Sequence, residues 1–214
     1  MVYLIARDSK LSKAQVEEFK DAWCKFFPDE EIKADFIKTY GDLDHSISLR
    51  DNFFEDLFTR ELDQALIEKK ADIAIHSAKD LPNNLHPDLE VVFYSRSKES
   101  RDSLVFKEGF DLNNIPKGGV ILASSLRREN AVKDLRNDVA IKDVRGTIEE
   151  RLELLSKDNI YGVVIAEIAL IRLKLEHLPR LILDIPTHQR QGQLAIVGLK
   201  DNIALRNRFS NFSF

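Results

Sequence analysis

Short apolar runs recur along this chain, and most are followed by a segment whose apolar residues repeat with helical period. Residues 2–6 form such a run, suited to a buried strand, and Ser9 stands where it can cap the next helix. In that helix Phe19, Trp23, Phe26 and Phe27 recur at helical spacing, and Pro28 helps to end it. Residues 32–38 alternate as a strand does. Residues 40–51 mix Gly, Asp, His and Ser with no apolar period and read as a loop. The stripe Phe54, Leu57, Phe58, Leu62, Ala65 and Leu66 predicts a second helix. Residues 72–76 predict a strand that runs into Ser77-Ala78-Lys79-Asp80-Leu81-Pro82, where Pro82 disfavours helix at Leu81.

A second series starts near Arg101. Residues 103–106, 120–123, 139–142 and 161–166 read as strands. Ser124 and Ser125 can cap a helix carrying Arg127 and Arg128, Thr147 and Glu150 have capping-box spacing after Gly146, and a further helix runs through Arg172. Strands alternating with helices imply an α/β fold of mainly parallel sheets with helices on both faces. Ligands of such sheets sit beyond the carboxyl ends of the strands. Arg7, Lys79, Asp80, Ser124, Ser125 and Arg145 all fall at those ends. The apolar stretch 194–199 can return to the first sheet. That gives two domains hinged by two crossings around a cleft: residues 1–97 with 190–214, and residues 98–189.

Composition narrows the function. A formal net charge of -4 argues against non-specific nucleic-acid binding, without forbidding a local basic pocket. Cys24 is the only cysteine, which excludes an intrachain disulfide and Cys-rich zinc sites. Its place on the first helix, with no nearby base, gives it a structural role. Arg7 and Asp8 interrupt the N-terminal apolar run, and no uncharged stretch approaches the roughly 20 residues of a membrane span. A cytoplasmic protein is expected. His45, His76, His86, His177 and His188 lack metal-ligand spacing, so no metal is expected and ordinary roles are assigned to them. Phe53, Phe54 and Phe58 read as core rather than as a stacking platform, and no P-loop or GxGxxG is present.

Two constellations carry chemistry. In Ile75-His76-Ser77-Ala78-Lys79-Asp80-Leu81-Pro82, Lys79 can offer a cation to a carboxylate. Asp80 can accept from a substrate N–H or stabilise a developing cation. The bland alternative is a solvated charged turn. Ser124-Ser125-Leu126-Arg127-Arg128 joins hydroxyls, free backbone N–H groups and a helix dipole to planar guanidiniums, an anion site. Its alternative is a capped helix with two exposed arginines, whose directions diverge by about 100°. Arg145-Gly146-Thr147 with Arg151, and then Arg172, repeat the arrangement. Arginines at equivalent positions of successive strand–helix units suit a small, carboxylate-rich substrate.

Taken in order, these segments resemble hydroxymethylbilane synthase, also called porphobilinogen deaminase. The resemblance runs through Ala6-Arg7-Asp8-Ser9 with Leu11 and Gln15, residues 71–77 with Lys79-Asp80-Leu81-Pro82, and Arg101-Asp102. It continues with residues 124–128, Val144-Arg145-Gly146-Thr147 with Arg151, Ile165-Ala166 with Arg172-Leu173, and Gln191-Gly192. It implies two periplasmic-binding-protein-like domains and the head-to-tail joining of four porphobilinogen units with loss of ammonia, in tetrapyrrole and heme biosynthesis. It implies a dipyrromethane cofactor as primer. By resemblance Asp80, with Lys79, is catalytic, its charge stabilising the cationic azafulvene formed as ammonia leaves. Arg7, Ser9, Phe58, Lys79, Asp80, Ser124, Ser125, Arg127, Arg128, Arg145 and Gly146 match cofactor-holding positions. Arg7, Arg145, Arg151 and Arg172 match substrate-holding ones.

The chain also departs from the family. Asp51-Asn52-Phe53-Phe54-Glu55-Asp56 replaces a glycine- and lysine-rich loop, and residues 185–190 are one residue longer than the family's segment. The 214 residues do not include the family's third domain with its cofactor-bearing cysteine, and Cys24 does not align with that cysteine. The expectation is therefore a chain without covalent dipyrromethane; a separate chain that supplies the missing domain is a partner the resemblance allows, not one the sequence settles. The competing expectation is a non-catalytic binding module for tetrapyrrole precursors or another small polyanion.

Overall fold

A computed structural model describes residues 1–44 and 56–214. Residues 45–51 of the expected loop, and His45, Phe53 and Phe54, lie outside the described residues. The chain divides into two compact units. Unit 1 holds Met1–Asp44, 56–98 and Gln189–Phe214, and unit 2 holds Glu99–His188.

Unit 1 begins with strand β1 (Val2–Arg7) and helix α1 (Lys10–Phe26). The Ser9 hydroxyl accepts from the Ser12 N–H at 3.1 Å, as the sequence led us to expect, and fills one of the helix's orphan donors. Strand β2 (Ile32–Ile37) follows, and then helix α2 (Tyr40–Leu43). This single turn corrects the expectation of loop from residue 40. Thr39 and Asp42 close it, since the Asp42 carboxylate accepts from the Thr39 N–H at 2.9 Å and from its hydroxyl at 2.8 Å. Hydrogen bonding, not apolar period, makes this turn.

Helix α3 (Arg60–Ile67) is shorter than its apolar stripe suggested. Leu57 and Phe58 belong to the turn before it, while Leu62, Ala65 and Leu66 are buried. Strand β3 (Ile73–Ser77) runs into a short 3-10 turn over Ala78–Asp80. Leu81 is then extended, as the proline after it requires. Strand β4 (Leu89–Tyr94), which the sequence expectations did not include, completes the first passage.

Unit 2 contains β5 (Asp102–Phe106), β6 (Val120–Leu122), α4 (Leu126–Leu135), β7 (Ala140–Lys142) and α5 (Ile148–Glu153). It continues with β8 (Ile160–Ala166), α6 (Glu167–Arg172) and β9 (Arg180–Leu183). The chain then returns to unit 1 as β10 (Leu194–Leu199) and α7 (Ile203–Phe209).

The sheets share one plan. Sheet 1 has the order β2-β1-β3-β10-β4 and sheet 2 the order β7-β6-β8-β5-β9. The first three strands of each are parallel, and the fourth runs antiparallel to both its neighbours. The sheets are thus α/β as expected, but mixed. The reversed strand has a consequence for function: β10 and β5 begin at the edge where their parallel neighbours end. Leu194 pairs with Ser77, and Asp102 pairs with Ala166.

Strand faces follow the side-chain alternation. Val2, Leu4 and Ala6 of β1, with Ile73 and Ile75 of β3, pack on Val16, Phe19 and Trp23 of α1. Ile5 and Ala74 point the other way, onto Leu62 and Leu66 of α3. Phe209 and Phe212 close over the same α1 face, with ring centroids 5.4 and 5.5 Å from Trp23. Unit 2 has its own core, which includes Leu104, Ile121, Val132 and Val164. Two filled cores leave the strand ends as the edges with polar groups to offer. No helix of the described residues is long and apolar enough to cross a membrane.

Candidate functional site

In unit 1 the polar groups gather where β1 and β3 end. Arg7, Ser9, Ser12, Gln15, Phe58, His76, Ser77 and Asp80 line one pocket of about 60 Å³. Arg7 leaves the last position of β1 and donates to the Asp42 carboxylate through Nη2 and, at 3.3 Å, through Nε. The guanidinium also lies over the Phe58 ring, 4.1 Å from Cζ to centroid. The carboxylate and the ring together orient the cation before any ligand arrives. Burial pushes the Asp42 carboxyl up, but Arg7 and Thr39 outweigh it and hold it below the usual carboxylate range.

Ser77, at the end of β3, accepts from Gln15 Nε2 at 2.9 Å, tying that strand end to α1. Lys79 and Asp80 follow in the 3-10 turn and are half-buried. Of the pair, Asp80 lines the pocket.

His76, assigned an ordinary role from its sequence context, lines the same pocket. Only 4% of it is exposed, and its Nε2 is buried with no hydrogen-bond partner. Burial lowers its pKa to about 3, with the Arg7 charge adding to the shift, so the imidazole is neutral at neutral pH. Its position at a strand end was the available signal. Apolar neighbours in the sequence masked it.

Unit 2 gathers its cations at the corresponding edge. Of the two serines read as caps, Ser125 performs that role, accepting from the Arg128 N–H at 3.4 Å. The Ser124 hydroxyl instead accepts from Arg128 Nη1 at 3.1 Å. Arg127 and Arg128 converge on one carboxylate. Asp102, fully buried at the start of β5, places one oxygen 2.6 Å from Arg128 Nη2 and the other 2.8 Å from Arg127 Nη1. Burial alone raises the Asp102 pKa, but the two guanidiniums outweigh it and the carboxyl stays ionised below its ordinary range. The sequence displayed Asp102 next to Arg101, but its partners lie 26 residues away along the chain in the case of Arg128.

Arg145 is half-buried beyond the end of β7, and Gly146 follows with φ +98°. The capping box forms as expected: the Thr147 hydroxyl accepts from the Glu150 N–H at 3.3 Å, and Glu150 accepts from the Thr147 N–H at 2.7 Å. Arg151 Nε donates to the Gly146 carbonyl at 2.9 Å, and Arg172 closes α6, half-buried. A buried Glu167, which the sequence reading passed over, receives the Ser103 hydroxyl at 2.5 Å and Arg180 Nη2 at 2.9 Å. This network braces the start of α6. No cluster of three or more metal-ligating side chains occurs among the described residues.

Comparison with known proteins sets this arrangement in a family. Residues 2–207 match the family model described as porphobilinogen deaminase, dipyromethane cofactor binding domain. A probable porphobilinogen deaminase of Ignicoccus hospitalis is 39% identical over 177 residues, covering 81% of this chain and 58% of that protein. The porphobilinogen deaminase of Caldicellulosiruptor saccharolyticus is 37% identical over 207 residues, covering 92% and 69%. The chain spans between 54% and 70% of the length of the curated relatives it matches. Among solved structures, the effector-binding domain of QuiR in complex with shikimate superposes with a TM-score of 0.53 at 16% identity, covering 99% of this chain and 93% of that one. The reduced form of the regulatory domain of OxyR2 from Vibrio vulnificus gives 0.51 at 13%, covering 99% and 94%. These likenesses show the fold, of the periplasmic-binding-protein-like kind.

Proposed function

Because the chain belongs to the porphobilinogen deaminase family, we propose that it acts as a hydroxymethylbilane synthase, joining porphobilinogen units into a linear tetrapyrrole with loss of ammonia. The observation that carries this reading is the meeting of Arg7 and Asp80 on one pocket, beside a neutral buried imidazole. A plain anion binder gains nothing from a carboxylate on its ligand pocket. A pyrrole that bears carboxylates, an N–H and a cationic leaving group uses both signs of charge.

In this reading Arg7, pre-oriented by Asp42 and Phe58, receives a carboxylate. Asp80 faces the ring nitrogen. As the C–N bond breaks, ammonia leaves with the bonding electron pair, and the positive charge left on the pyrrole is stabilised by Asp80. Lys79 offers a second cation. Unit 2 offers carboxylate-binding cations of its own in Arg127, Arg145, Arg151 and Arg172, with Ser124, Ser125 and Gly146 beside them in the chain.

The dipyrromethane group implied by the family is matched in chemistry by the side chains around the unit 1 pocket. Its carboxylates suit Arg7 and the Ser9 hydroxyl, its N–H groups suit Asp80, and the unpartnered Nε2 of His76 is a polar atom awaiting a partner. When bound, that group supplies the primer to which pyrrole units are added. A cytoplasmic setting belongs to the same reading, supported by the exposed, unpaired Cys24, which a reducing compartment tolerates.

Porphobilinogen consumption, followed by oxidation and uroporphyrin absorbance, tests the reading. Asp80→Asn should lower turnover at least ~10²-fold while the melting temperature holds. Wild-type-like turnover in that variant would overturn the role. Binding of porphobilinogen without turnover by the unaltered chain would favour a non-catalytic binding module.

A further inference from the structure

We propose that Asp102 is a positioning residue that divides the two adjacent arginines of α4, locking Arg128 into the body of unit 2 and leaving Arg127 outward as the cation for a ligand carboxylate. The inference rests on the reading above, in which this strand-end edge receives carboxylates.

The family resemblance treats Arg127 and Arg128 alike, but the geometry does not. Asp102 reaches the edge only because β5 runs against β8, so that its first residue pairs with the last residue of β8. Each of its oxygens meets one guanidinium. The Arg128 side chain is 7% exposed and also donates through Nη1 to Ser124 Oγ at 3.1 Å and to the Val164 carbonyl at 3.4 Å. Those contacts enclose its fork in protein.

The Arg127 side chain is 33% exposed, and it meets both Asp102 and the Pro186 carbonyl through Nη1. Both contacts fall on one terminal nitrogen, and a third of the side chain stays open to a ligand. Two guanidiniums meet one carboxylate at the N-terminus of a ten-residue helix, and Glu129 of the same first turn is paired with Lys133, so the arginine cluster keeps one positive charge where the helix dipole also favours an anion. Asp102 acts by holding Arg127 still, so a ligand need not bear the ordering of a long side chain.

A positioning role predicts the opposite sign from simple charge counting. Removing Asp102 makes the edge more positive, which by Coulomb attraction alone would tighten anion binding. If Asp102 positions Arg127, its loss weakens binding.

The test is a double-mutant cycle on the full chain. Calorimetry reads the affinity for porphobilinogen and, separately, for succinate as a plain dicarboxylate probe, with melting temperatures alongside. Arg127→Ala should weaken binding about 10-fold or more, the loss of one charge-assisted contact, and lower the melting temperature less than Asp102→Asn does. Asp102→Asn should weaken binding in the wild-type background and add nothing in the Arg127→Ala background. A merely structural Asp102 would lower affinity equally in both backgrounds, and that result, or tighter binding in Asp102→Asn, overturns the proposal. If Asp102→Asn does not fold, Asp102→Glu, which keeps the charge and displaces it, goes through the same cycle. Succinate showing the cycle while porphobilinogen fails to bind would sustain the positioning role and reject the functional reading. Failure of both ligands to bind rejects both.

Discussion

At Gly146 the backbone has φ +98°, and a Cβ there would stand 2.5 Å from Glu150 Oε2. That oxygen is half of the capping box that starts α5. Gly146→Ala therefore meets left-handed strain and a displaced cap together, and should cost about 1–3 kcal/mol. Chemical denaturation measures it, and an unchanged midpoint would show that the turn relaxes freely. The sequence shows a glycine between a basic residue and a capping threonine, which is enough to expect a turn. It does not show that Arg151 reaches back to the same carbonyl. Arg7 teaches the converse lesson: its strand-end position was legible, while its two orienting neighbours were not, since Asp42 stood in a stretch read as loop and Phe58 on a stripe read as core.

Among the elements, α1 is the one most fully determined by local sequence. Its cap, its apolar stripe and its stop are all written within residues 9–28. Because the Ser9 hydroxyl makes a defined bond to the Ser12 N–H, Ser9→Ala should lower stability by about 0.5–2 kcal/mol. A Ser9→Asp variant restores an acceptor and should recover most of the loss in a melting experiment. Recovery of stability without recovery of porphobilinogen affinity would also separate the capping role of Ser9 from its proposed part in ligand binding. The reversed strands β5 and β10 behave differently, since each runs antiparallel to both its neighbours and nothing in its own residues fixes that direction.

The whole molecule should report His76 through its acid response. The buried imidazole has a pKa of about 3 against an ordinary 6.5. Between those values the unfolded chain binds the extra proton, so stability is fully present above about pH 6.5 and is lost on acidification, at up to about 1.4 kcal/mol per pH unit. Asp63 opposes this over part of the range. Burial raises its pKa from 3.8 to about 6, with Asp56 pushing the same way and Thr59 and His86 pulling back. The folded chain therefore binds its proton first, and stability is gained as pH falls through that window. Replacing His76 with Leu should leave only the Asp63 effect. The stability of wild type relative to His76→Leu should fall between pH 7 and pH 5, as measured by urea midpoints. Parallel curves for the two proteins would mean that His76 is solvated in the folded state.

The amino-acid sequence by itself determined the α/β class, the caps at Ser9, Ser125 and Thr147, and the strand-end placement of Arg7, Asp80 and Arg145. Periodicity, capping chemistry and turn residues are all local, and local order is readable along the chain. Only the tertiary structure decided that Arg127 and Arg128 share Asp102, that Asp42 orients Arg7, and that His76 is sealed and neutral. Those facts depend on strand order and direction, which are chosen by the closing of two cores rather than by any neighbour in sequence. A charge's partner, and the water it loses on burial, are properties of that closure.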